Sequence, residues 1–186
     1  MITTGTWIIV PLFGLLPFIL IKDSLSLTDA FFESVSALTT TGSTVMAGLD
    51  NKTRDILLWR SVLQWFGGIG IIGMAIAILP SLKSGGMRLF QTESSDWSEK
   101  ATPRTFHMLT GIIFAYLGLT MLCAFAYYFG GMSAFDAINH SMSTVSTGGF
   151  STSDDSFGQF HSSLLQWLCI VFMIAGSIPF LLYVQM

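Results

Sequence analysis

Residues 2–21, 57–79, 106–129 and 164–184 form four apolar stretches. Each is close to the length a helix needs to cross a bilayer, about 20 residues at a rise of about 1.5 Å. This feature limits the chain more than any other. Backbone inside a bilayer must satisfy its own polar groups, so the segments are expected to be helices. The rest of the chain cannot offset them. It is 52% hydrophobic and 10% charged, with a mean hydropathy of +0.67. Soluble domains carry about 25% charged residues, so these charges are too few to cover a globular surface. An all-α, polytopic membrane fold is expected. The first stretch lacks a basic leader and a small-residue cleavage site, so it reads as a membrane helix kinked at Pro11 and Pro17 rather than a signal peptide.

Two further apolar stretches, residues 27–38 and 134–145, are too short to span and read as re-entrant helices. Each opens on an S-x-x-D capping signature, Ser26 to Asp29 and Ser133 to Asp136. Each runs into a small hydroxyl- and glycine-rich string, "SALTTTGST" and "STVSTGGFS". The two halves repeat. A shift of 107 positions pairs Ser26 with Ser133, Asp29 with Asp136, Ala30 with Ala137, Ser34 with Ser141, Ser36 with Ser143 and Gly42 with Gly149. A shift of 102 pairs "SVLQW" (61–65) with "SLLQW" (163–167). The expected organisation is a first pore repeat over 1–80, a linker over 81–104 and a second pore repeat over 105–186.

The linker carries Lys83, Arg88, Lys100 and Arg104, whereas residues 130–161 carry no Lys or Arg. The positive-inside rule then puts 81–104 in the cytoplasm and both Ser/Thr/Gly loops outside. Irregular backbone at membrane depth is tolerated only inside protein or along a water-filled path. The loops follow helix C-termini, whose dipole is worth about half a negative charge. They offer carbonyl and hydroxyl oxygens, the ligands that replace a cation's hydration shell. Candidate ion-binding residues are Thr39, Thr40, Thr41, Gly42 and Ser43 in the first loop. In the second they are Ser146, Thr147, Gly148, Gly149 and Phe150. No catalytic residue and no transition-metal site are expected. HExxH, GxSxG and paired intramembrane aspartates are absent from the sequence, and His107, His140 and His161 share no ligand spacing. The net charge of -3 and the lack of a basic cluster argue against a nucleic-acid partner.

The strings "FFESVSALTTTGST", "WRSVLQWFGGIGIIGMAIAILP" and "INHSMSTVSTGGFST" closely resemble the Trk/Ktr-type membrane subunits of K⁺ transporters, the TrkH/TrkG-like branch in particular. The resemblance covers essentially the whole chain. It implies the first two of four pore repeats and K⁺ as the transported ion, held through filter backbone carbonyls with no covalent cofactor. It also implies a bacterial inner-membrane location. The partners it implies are the lipid bilayer, the remaining pore repeats or a second copy, and a cytosolic nucleotide-binding regulatory subunit. Two further units would then follow Met186, and helices would precede Met1. A non-conducting scaffold or assembly subunit and a membrane enzyme are the alternative readings.

Several residues have bland readings beside these. Cys123 and Cys169 read as small buried hydrophobes. The glycines of 67–73 read as close helix packing, and His140 as a packing or hydrogen-bonding residue. Asp154 and Asp155 are either solvated loop charges or cation attractors at the outer mouth. Arg60 is placed to snorkel to the interface. Glu33 either faces an outer vestibule or pairs with Arg60. The topology has a direct check. A single cysteine introduced between positions 84 and 96 of the full-length protein is expected to react with a membrane-impermeant thiol reagent only from the cytoplasmic side. Labelling from outside would overturn the orientation.

Overall fold

A computed structural model describes residues 2–21, 25–87 and 98–185, all of the regular structure being helical among them. The elements are α1 (Ile2–Gly14), α2 (Leu16–Leu20), α3 (Leu27–Leu38), α4 (Arg54–Met87), α5 (Ser98–Phe129), α6 (Ala134–Val145), α7 (Ser163–Ser177) and α8 (Phe180–Gln185). Short 3-10 turns occupy Leu49–Asn51 and Ser156–Gln159. Part of the linker over 81–104, residues 88–97, lies outside the described residues.

Two of the four expected spans are single helices. Arg54–Met74 and Met108–Phe129 are long and apolar enough to cross a membrane. Their best apolar windows are only 39% and 22% buried, so much of their apolar surface faces outward. Phe114, Phe125, Phe129, Trp167 and Ile174 are all exposed, as lipid contact requires.

The other two spans are broken. The first stretch is interrupted at Leu15, between α1 and α2, rather than at either proline. Pro11 stays inside α1, and Pro17 sits in the first turn of α2. The last stretch breaks at Ile178, whose extended backbone precedes Pro179. A residue before proline is pushed out of the helical region. Backbone groups freed by such breaks need partners in a membrane, and side chains supply them. Trp59 Nε1 donates to the freed Gly14 carbonyl at 2.9 Å, and Ser34 Oγ adds a second bond, at 2.9 Å, to the Pro11 carbonyl, which also accepts from the Leu15 amide. At the far end Tyr183 Oη donates to the Ala175 carbonyl at 3.0 Å.

Both short helices run over the residues expected. Ser26 Oγ accepts from the Asp29 amide at 3.2 Å and donates to Asp29 Oδ2 at 2.7 Å. Ser133 and Asp136 repeat the motif at 3.1 and 2.6 Å. The two helices are nonetheless buried differently. Helix α3 packs on α1, α2 and α4, whereas α6 packs on α4, α5 and α7. Residues 139–145 of α6 are all buried. Helix α4 therefore stands between the two repeats and packs on both short helices.

Two glycines of the 67–73 run account for that close approach. A Cβ at Gly67 would collide with the Leu38 carbonyl, and one at Gly68 would lie 2.6 Å from Tyr116 Oη and 3.1 Å from Ser146 Cβ. Among the described residues nothing lies within 4 Å of a Cβ at Gly70 or Gly73, so the first pair carries the packing seen here. Gly67→Ala is expected to destabilise the full-length protein by about 1–3 kcal/mol through overpacking, read as a fall in its melting temperature in detergent. Gly70→Ala is expected to leave stability unchanged or raise it by up to about 1 kcal/mol.

Candidate ion pathway

Both short helices end in the same way. In α3 the Thr40 amide donates to the Ala37 carbonyl at 3.0 Å and the Thr41 amide to the Ser36 carbonyl at 3.0 Å. In α6 the Thr147 amide donates to Thr144 at 3.0 Å and the Gly148 amide to Ser143 at 2.9 Å. This pair of bonds is the Schellman helix stop, normally built on a left-handed glycine. Here threonine takes that position, with φ of 53° at Thr40 and 54° at Thr147. A β-branched residue in this region is a genuine outlier. Such strain persists only where its surroundings hold it, and it clusters at functional sites. Two residues further on, φ is positive again, 75° at Gly42 and 87° at Gly149. The two loops thus share one backbone pattern across the 107-residue shift.

The ten candidate residues fall into one region. The loops meet at Gly42, where a Cβ would collide with the Gly148 carbonyl. Thr41, Gly42, Ser43, Thr147 and Gly149 are at least partly exposed, whereas Ser146, Gly148 and Phe150 are buried. Thr39 Oγ1 donates to the Val35 carbonyl and shares a 2.8 Å hydrogen bond with Thr41 Oγ1. Ser36 Oγ donates to the Ser43 carbonyl at 2.6 Å. Thr147 Oγ1 donates to the Ser146 carbonyl at 2.8 Å. The Phe150 ring turns away from the open edge and joins the first repeat's core with Leu49, Ile56 and Leu63. Only its backbone remains available to the pathway. On the other side of the loops, Thr40, Gly68, Tyr116, Ser146, Thr147 and Gly176 line a cavity of about 160 Å³.

The loops are held from behind by groups the sequence singled out only in part. Glu33 Oε1 accepts from the Thr44 hydroxyl, from the Val45 amide at 2.7 Å and from the Met46 amide at 3.2 Å. Arg60 does not snorkel. It is 1% exposed and pairs with Glu33, Nε to Oε2 at 3.3 Å. Its other nitrogens donate to Thr44 Oγ1 at 3.0 Å and to the Ser151 carbonyl at 3.2 Å. Its guanidinium stacks 4.2 Å from the Phe150 ring centroid. The open question about Glu33 is therefore answered by pairing. One turn along α4, Gln64 is fully buried and its Oε1 accepts from the Phe150 amide at 3.2 Å. Gln64 Nε2 has no partner among the described residues. Gln64 also explains why Gly148 must lack a side chain, since a Cβ there would collide with its carboxamide carbon.

His140 is a hydrogen-bonding residue, as one reading had it. Nδ1 lies 2.9 Å from the Asp136 carbonyl, which can only accept, so Nδ1 carries the proton and Nε2 accepts from Ser151 Oγ at 3.1 Å. Asp154 is exposed, and its Oδ1 accepts from the Leu49 amide at 3.1 Å, tying together the turns that follow the two loops. Cys123 is buried and both cysteines are free thiols. No cluster of metal-ligating side chains occurs among the described residues. The sequence signals for Gln64 and Arg60 were present. The "LQW" repeat marked Gln64, and Arg60 was the basic residue placed deepest in an apolar stretch.

Helices long and apolar enough to cross a membrane, two short helices packed between them and an apolar exterior are the features of a multi-pass membrane protein. The chain belongs to the TrkH family, described as "Cation transport protein", whose model matches residues 1–186. It is 51% identical over 99% of its length to the Trk system potassium uptake protein TrkI of Halomonas elongata, of which it covers 38%. It is 46% identical to the TrkH protein of Vibrio parahaemolyticus over 95% of this chain and 37% of that one. The crystal structure of the potassium transporter TrkH from Vibrio parahaemolyticus superposes with a TM-score of 0.79, over 94% of this chain and 34% of the other. The chain thus spans little more than a third of these relatives.

A difference between the left-handed glycines of the two loops, Gly42 and Gly149, follows from the geometry. Alanine at either costs about 1–2 kcal/mol in backbone strain. At Gly42 it also strikes the Gly148 carbonyl, whereas Gly149 has open space beside it. Gly42→Ala is expected to reduce cation uptake by the full-length protein more than Gly149→Ala, measured as initial rates at equal membrane abundance.

Proposed function

We propose that this chain forms the first two of four pore units in a protein that takes up K⁺ across the bacterial cytoplasmic membrane. The units occupy 1–80 and 105–186, the loops face outside and the linker over 81–104 lies in the cytoplasm. The filter residues are Thr39 to Ser43 and Ser146 to Phe150. One observation carries the reading: two loops, 107 residues apart, follow the same left-handed backbone pattern and meet at Gly42 and Gly148. Ordered oxygen-rich backbone of that kind suits a dehydrated cation. The relatives named for potassium uptake support K⁺ as that cation.

Two loops supply oxygens from part of a ring only. Stripping the water from K⁺ takes ligands from all around, and an open polar edge cannot face lipid. The open edge is therefore expected to meet further pore units, in a continuation of the chain or in a second copy. A cytosolic nucleotide-binding regulatory subunit is the expected partner on the inner side. The competing reading is a non-conducting scaffold.

The test uses the full-length protein in a bacterial strain that lacks other K⁺ uptake. Wild type is expected to restore growth at low K⁺ and to take up K⁺ in preference to Na⁺. Gly42→Asp and Gly149→Asp are expected to insert normally and to lose uptake or K⁺/Na⁺ preference. Wild-type uptake and preference in both variants would overturn the filter assignment, and no uptake by the inserted wild type would favour the scaffold.

A further inference from the structure

We infer that Arg60, held by Glu33, is a positioning residue that sets the spacing between the two candidate filter loops and thereby the discrimination between K⁺ and Na⁺. This rests on the pore reading above and adds a specificity determinant to it. Arg60 belongs to neither loop. It reaches from α4 to both, and each of its nitrogens has a different task. Nε holds Glu33 of the first short helix, Nη2 holds Thr44 of the first loop, and Nη1 holds the Ser151 carbonyl of the second. The guanidinium face covers Phe150, also of the second loop. A rigid planar fork with contacts on two loops fixes the distance between them. A lysine ammonium, a single point on a flexible stem, cannot.

The two short helices tether their loops at equivalent places by different chemistry. Under the 107-residue shift Glu33 corresponds to His140 and Thr44 to Ser151. Glu33 accepts from the Thr44 hydroxyl as His140 Nε2 accepts from the Ser151 hydroxyl. The tether is thus common to both units, and the cation is not. Under the 102-residue shift Arg60 corresponds to Ser162, which carries no charge. The brace that crosses between loops therefore exists at the α4 junction and has no counterpart on α7. A buried ion pair is a poor device for stability alone, since apolar residues of similar volume often do as well. Ionisable groups within membrane segments are costly, and they are kept where they have a function. Here the cost is tied to a place where small changes in spacing alter which ion fits.

Five full-length variants separate positioning from folding. Arg60→Lys keeps the charge and loses the fork. Glu33→Gln combined with Arg60→Met removes both charges, so neither is left buried alone. Thr44→Val deletes the Arg60 contact together with the tether to Glu33, and no charge; Ser151→Ala deletes the corresponding tether to His140 and keeps the carbonyl that Arg60 uses. Gly70→Ala, in open space on the same helix, is the control. Each is purified, its melting temperature in detergent recorded, and K⁺ and Na⁺ uptake measured in proteoliposomes. Arg60→Lys and the double variant are expected to lower the K⁺/Na⁺ uptake ratio by about tenfold, with Thr44→Val shifting it less in the same direction. Gly70→Ala should match wild type. A wild-type ratio in Arg60→Lys or Thr44→Val would overturn the brace. If the Arg60 variants fail to accumulate, Thr44→Val is read against Ser151→Ala: a ratio no lower than that of Ser151→Ala decides against the brace, and a clearly lower one decides for it. Failure of the pore reading is distinct: the wild type itself would then show no K⁺ preference, or Gly42→Asp would leave that preference intact.

Discussion

Backbone that leaves a helix inside a bilayer has no water to bond, and the rest of this structure depends on how that debt is met. Each unpaired amide or carbonyl there costs several kcal/mol. The regular helix is interrupted at Leu15, and the chain leaves helical geometry at Thr40, at Thr147 and at Ile178. At each place side chains or a helix-stop motif take up freed groups. Trp59 serves the first break, and Tyr183 joins the Ile178 amide at the last. Schellman bonds close both short helices. Beyond them Glu33 accepts two amides of the first loop, and Gln64 accepts one of the second.

These partners lie on few surfaces. Arg60, Gln64, Gly67 and Gly68 recur at helical spacing on α4, so one stripe faces both loops. Its polar members bond the loops, and its glycines let the ends of the short helices approach. The stripe gives α4 a double role: it closes the first repeat and supports the second. That is why α6 is buried on nearly every side and why Phe150 of the second loop is packed in the core of the first repeat. The repeats are alike in sequence but are not independent bodies at their loops.

The positioned groups are drawn away from the edge where the two loops meet. The buried charged side chains behind the loops, Glu33 and Arg60, bond to one another and to loop backbone. What remains at the edge is carbonyl, hydroxyl and glycine. Strain at Thr40 and Thr147 is held in place by the two helix-stop bonds on each side. A preorganised set of neutral oxygens can bind a cation without the cost of rearranging at the moment of binding.

Much of this was legible in the sequence. Hydropathy and length identified the membrane class, because bilayer thickness imposes a fixed number of helical residues. The S-x-x-D signatures and the break in apolar character marked α3 and α6 to the residue, since capping is a local interaction that few sequences satisfy. The repeat located both loops and paired Gly42 with Gly149. Spacing alone could not decide where Arg60 points, whether Glu33 meets it, that Gln64 stands behind Gly148 or that Phe150 turns into the other repeat. Those contacts join residues separated by 27 to 91 positions. They depend on how α4 is wedged between two short helices, and only the packed tertiary structure determines that.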